Sequence, residues 1–72
     1  MKDKKTLRKE MGQHIKAIRK KYGLSVEEVA YKCGKDYQSI VRLENGRMNP
    51  SMYYLYEVSI GYGVPVKDLI DF

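Results

Sequence analysis

The chain has 72 residues, enough for one small core and not for two. It is 43% hydrophobic and 32% charged with a net charge of +5, and it holds no apolar run long enough to span a bilayer, so it reads as a globular domain rather than a membrane protein. One cysteine excludes an internal disulfide and, with one histidine, leaves no set of metal ligands; with no signal-peptide pattern, the expectation is a cytoplasmic protein without cofactor or metal.

The basic charge is concentrated at one end. Residues 1–21 carry nine Lys and Arg against Asp3 and Glu10, a net +7, whereas residues 48–72 carry Lys67 against Glu57, Asp68 and Asp71, a net −2. Such an asymmetry seeks a polyanion. Leu7, Met11, Ile15 and Ile18 recur at helical spacing, with Tyr22 one turn further, which predicts a helix over residues 6–22 ended by Gly23. Residues 1–10 are expected to be a basic, partly disordered extension leading into that helix, and residues 11–72 the domain proper. Ser25 and Glu28 form a capping box, so a second helix is expected over 25–32, with Ala30 suited to close helix approach. Cys33 is a small packed hydrophobe, and Gly34 stops the helix by entering the left-handed region. Asp36 is a good N-cap for a third helix over 36–44, in which Ile40 and Leu43 face the core. Asn45-Gly46 then ends it. Pro50 suits the entry to a fourth helix over 51–62, with Met52, Leu55, Val58, Ser59 and Tyr62 turned inward. Gly63 closes that helix, and Pro65 opens a short last one over 65–70. Tyr22 and Tyr62 are expected at the core or its edge, while at least one of Tyr53, Tyr54 and Tyr56 must face outward. His14 is expected on the surface. Nothing reads as a strand, so the expected class is all-α, a compact five-helix bundle.

The second and third helices joined by a tight turn have the form of a helix-turn-helix, whose second helix enters the major groove of DNA. Tyr37, Gln38, Val41 and Arg42 are left on the outer side of the third helix and are the expected base-reading residues. Gln38 suits adenine through two hydrogen bonds, Arg42 suits guanine or a phosphate, and Val41 a thymine methyl. Ser25, Lys35 and Ser39, with Asn45, Arg47 and Asn49 of the following loop, are the expected phosphate contacts. No nucleophile–base pair, metal set or glycine-rich phosphate loop is present, so no enzyme is expected.

The segment from Met11 to Leu69 resembles the Cro/C1-type (XRE-like) helix-turn-helix family of phage repressors and bacterial regulators. The resemblance rests on Gly12, Ile15, Ile18 and Arg19, then Leu24-Ser25, Glu27-Glu28 and Ala30, then Gly34, Ser39-Ile40, Arg42-Leu43-Glu44-Asn45-Gly46, Asn49-Pro50-Ser51 and Gly63-Val64. Val26, Lys35, Val41, Gly61 and Tyr62 depart from the usual pattern; Gly61 and Tyr62 stand where Ala and Leu are customary. The resemblance implies a fold of the lambda-repressor type and a transcriptional regulator of double-stranded DNA. It also implies an ion pair between Arg19 and Glu44 that ties the first helix to the end of the third. A repressor binding a palindromic operator as a homodimer is the leading expectation, with Val64, Val66, Leu69, Ile70 and Phe72 as the dimer surface and no small-molecule ligand. An antitoxin that also grips a toxin, or an interaction module without DNA, are the rival readings.

Overall fold

In a computed structural model that describes residues 2–72, five helices follow one another: α1 (Lys4–Lys21), α2 (Val26–Cys33), α3 (Tyr37–Glu44), α4 (Met52–Tyr62) and α5 (Val66–Leu69). No strand occurs among the described residues, and no helix there is long and apolar enough to cross a membrane.

The helix ends follow from capping chemistry. The Thr6 N–H donates to Asp3 Oδ1 at 2.8 Å, so α1 begins at Lys4, two residues before the apolar spacing alone would start it, and runs unbroken through residue 10. Ser25 and Glu28 bond each other's backbone N–H groups, both at 3.0 Å. Gly34 caps α2 at φ 71°, and Lys35 N–H closes the turn onto the Ala30 carbonyl at 3.0 Å. Only Lys35 separates that cap from Asp36, the N-cap of α3, so α2 and α3 are held by a three-residue turn.

The core takes Met11 and Ile15 from α1, Val29 and Ala30 from α2, Ile40 and Leu43 from α3, Leu55, Val58 and Tyr62 from α4, and Leu69 from α5. Each fully buried aliphatic side chain contributes about 1.5–3 kcal/mol over its exposed state. Two glycines set the helix spacing. A Cβ on Gly12 would lie 2.5 Å from the Glu44 carbonyl oxygen, and one on Gly61 would collide with that of Val29. The first lets α1 rest on the end of α3, and the second lets α4 rest on α2.

Several expectations are corrected. Tyr22 is 55% exposed: it is the C-cap of α1, where the chain is already turning away, and its ring carries the Lys21 ammonium 5.7 Å from the centroid. Met52 is exposed because it opens α4 before the helix reaches the core, and Leu7, in the first turn of α1, is exposed at an open cleft that it shares with Pro50 and Phe72. His14 is half-buried, and its Nε2 bonds the Asp68 carbonyl, fastening α1 to α5. Leu69, assigned to a dimer surface, is fully buried, because α5 lies with its Val66–Leu69 side against the core and Leu69 is the deeper of the two.

Candidate nucleic-acid interface

α3 is amphipathic over its two turns. Ile40, Leu43 and Glu44 are buried, Tyr37, Gln38 and Arg42 are exposed, and Ser39 and Val41 are half-buried at the boundary. Gln38 and Arg42 lie one turn apart on the free side. Among the described residues none of the three exposed side chains makes a hydrogen bond or ion pair to the rest of the fold. They are free to meet a ligand from a helix whose own position is fixed.

That position is set by a network at the inner end of α3. The Arg19 guanidinium donates to Glu44 through Nε at 2.8 and 3.2 Å and through Nη2 at 3.0 Å, while Nη1 donates to the Leu24 carbonyl at 3.0 Å. The Tyr62 hydroxyl donates to Oε2 of the same carboxylate at 2.8 Å. Both side chains of the ion pair are largely out of water, at 12% and 4% exposure. Paired with Glu44, Arg19 is pushed above its ordinary pKa and stays charged. Burial beside that carboxylate pushes the Tyr62 phenol far up, so it remains a donor. A buried carboxylate with its lone pairs occupied from α1 and α4 fixes α3 in orientation more than it stabilises the fold. Sequence reading missed Tyr62 as a member; the replacement of the customary Leu by a residue with a hydroxyl was the available signal.

A second tie joins the turn to α4. Lys35 Nζ donates to Glu57 at 3.0 Å and lies 4.9 Å from the Tyr54 ring centroid. The Glu57 carboxylate raises the Lys35 pKa. The Tyr54 hydroxyl is buried without a hydrogen-bond partner among the described residues, and its pKa is raised by burial. Lys35 is therefore engaged within the fold rather than free for a phosphate. Ser25 is likewise engaged, its hydroxyl serving as the cap of α2. Asn45, the C-cap of α3, with Arg47 and Asn49 beyond it, is exposed in the loop before α4. Arg47 N–H bonds the Arg42 carbonyl at 2.9 Å, which fixes that loop on the end of α3. The sequence-expected residues thus divide into an exposed row on α3, an exposed loop at its end, Ser39 and Val41 at the half-buried boundary, and Lys35 and Ser25, which are committed to structure.

The helix-turn-helix family profile matches residues 15–69. An HTH-type transcriptional regulator of Archaeoglobus fulgidus is 37% identical over 62 residues, covering 86% of this chain and 89% of its own. Control protein C.BamHI of Bacillus amyloliquefaciens is 36% identical over 85% of this chain and 76% of its own. The crystal structure of the restriction-modification controller protein C.AhdI from Aeromonas hydrophila superposes with a TM-score of 0.79 at 26% identity, over 89% of this chain and 96% of that one. With the profile spanning most of the chain and the capped turn between α2 and α3 in place, the chain belongs to the Cro/C1-type (XRE-like) helix-turn-helix family of DNA-binding transcriptional regulators.

Proposed function

We propose that the protein is a repressor that binds a roughly palindromic operator as a homodimer, reading bases with Tyr37, Gln38, Val41 and Arg42. The observation that carries this reading is the free row Tyr37–Gln38–Arg42 on a helix anchored through Glu44 from two sides. Gln38 stands in the first turn of α3, where recognition helices meet base edges, and offers adenine a donor and an acceptor together. Arg42 reaches guanine or the backbone one turn later. Asn45, Arg47 and Asn49 contact phosphate, with exposed loop N–H groups beside them. The uncovered apolar side chains Tyr53, Tyr56, Ile60, Ile70 and Phe72 supply a two-fold contact, with Val64 and Val66 at its half-buried margin.

Selection of bound duplexes from a random pool tests the reading. The expected product is a site with two-fold symmetry whose half-site centres lie about one helical turn, roughly 34 Å, apart. On that site Gln38→Ala should cost about 1–3 kcal/mol and relax preference at one base position per half-site, leaving random-sequence affinity unchanged. A pool that yields no preferred site, or a mutant with full discrimination, would sink the assignment of Gln38 and the docking that goes with it.

A further inference from the structure

The lysines at the start of the chain do not form a loose tail. α1 carries them to the far end of α3, where Lys5, Arg8 and Lys9 face Asn45, Gly46 and Arg47 across an open cleft of about 520 Å³. The two walls are in direct backbone contact. A Cβ on Gly46 would fall 2.8 Å from the Lys9 Cα, and Gly46 sits at φ 72°. Four cations from distant parts of the chain are thereby brought to one trough.

Among the described residues none of the four is paired with a carboxylate. The nearby acids are otherwise occupied. Asp3, whose charge is felt by Arg8, accepts from the Thr6 N–H as the cap of α1. Glu10 is bonded by Lys2 at 2.7 Å, and Glu44 is enclosed by Arg19 and Tyr62. Unneutralised cations held together repel one another, and an anion relieves that repulsion. The cleft is a trough rather than a pocket: Lys5, Lys9, Asn45 and Arg47 are all exposed along it. The basic strip also continues along α1 past Gln13 to Lys16 in the adjoining hollow. From Lys5 to Lys16 α1 rises roughly 17 Å. A strip of that length matches a run of backbone phosphates, spaced about 3.4 Å along the axis per strand. A single small anion would fill only a part of it.

The trough lies immediately beyond Asn45, the C-cap of α3. A recognition helix that offers its N-terminal residues to the bases has its other end at the rim of the groove, where the sugar-phosphate backbone runs. We propose that this cleft is a second DNA contact, taking consecutive phosphates outside the base pairs that α3 reads. This rests on the DNA-binding reading above and extends its footprint into flanking sequence of any composition.

The test compares the wild type with a Lys5→Gln/Lys9→Gln variant on the selected duplex, once with flanks of about 10 base pairs on each side and once trimmed to the recognised bases. Both substituted side chains are exposed, so the melting temperature serves as a control for folding. Trimming should weaken the wild type about tenfold and the variant far less. The slope of log K against log salt should be shallower in the variant by about 2 per protomer, with base preference unchanged. If trimming weakens both proteins equally, the cleft is off the backbone and this inference fails while DNA binding stands. If neither protein binds any duplex, both readings fail. A parallel titration with inorganic phosphate, followed by amide chemical shifts, separates the sources. Saturation of Lys9 and Arg47 by free phosphate, with affinity indifferent to trimming, would make this a small-anion site and overturn the proposal.

Discussion

Glu44 shows how one side chain organises a small domain. It is 5% exposed, yet its two oxygens take donors from Arg19 and Tyr62, so no charge is stranded. Removing one partner strands the rest. Glu44→Leu leaves the Arg19 guanidinium and the Tyr62 hydroxyl without their acceptor, and should cost roughly 3–5 kcal/mol. Arg19→Met/Glu44→Leu should be less damaging than Glu44→Leu alone, and adding Tyr62→Phe should recover more, because the last orphaned donor is then gone. Denaturant melts of the three proteins measure this order. Strictly additive losses would show that the three side chains do not act together. The ion pair was expected from family resemblance; the tyrosine that completes it follows only from α4 lying beside the end of α3.

At the scale of the helices, local sequence does most of the work at the ends and little of it in the spacing. Asp3, Ser25, Asp36 and Ser51 each accept an N–H in the first turn of their helix, and the starts at Ser25 and Asp36 are legible as caps in the chain itself. The capping carboxylates leave a trace in pH dependence. Asp36 is held below the usual carboxylate range by its hydrogen bonds with Ser39, and Asp3 and Glu28 by those with the Thr6 and Ser25 backbones. A carboxylate whose folded pKa is depressed adds stability that is complete above its unfolded pKa and is lost as pH falls through the folded one. Thermal stability should therefore fall below about pH 4. Asp36→Asn keeps a competent cap without the titrating group. It should change little at neutral pH and lose less than the wild type on acidification, as read by melting temperature across an acid series. Identical acid profiles would remove Asp36 from the set.

For the whole molecule, the uneven distribution of charge and apolar surface points in one direction. The basic N-terminal helix and the loop after α3 share one region, while α5 and the residues after it bear the acidic excess together with exposed Ile70 and Phe72. In the proposed dimer, a two-fold contact there would keep the acidic end off the duplex and leave two recognition helices free for successive major-groove turns. Ile70→Asp/Phe72→Asp should then give a folded monomer with much weaker affinity for a full palindrome and near-normal affinity for a half-site. Sedimentation of wild type and variant at micromolar concentration decides it; a strictly monomeric wild type, with and without DNA, would defeat the dimer and turn attention to another partner for this face. Leu69 is absent from that variant because it belongs to the core.

The sequence by itself determined the number and order of the helices, the turn between α2 and α3 and, in the outward row Tyr37, Gln38, Val41 and Arg42, every member but Val41, which the fold leaves half-buried. These depend on capping groups, glycines and apolar spacing within a few residues of one another, and such short-range chemistry is carried along the chain. What the tertiary structure alone decided is where distant residues meet. Tyr62 reaches Glu44, Lys35 is drawn to Glu57 and away from the phosphate role assigned to it, and Gly46 seats the loop on Lys9 so that Arg47 joins the cations of α1. Leu69 turns inward and Tyr22 outward for the same reason. Apolar periodicity gives the side of a helix that can be buried, but only the neighbouring helices determine how much of that side is covered.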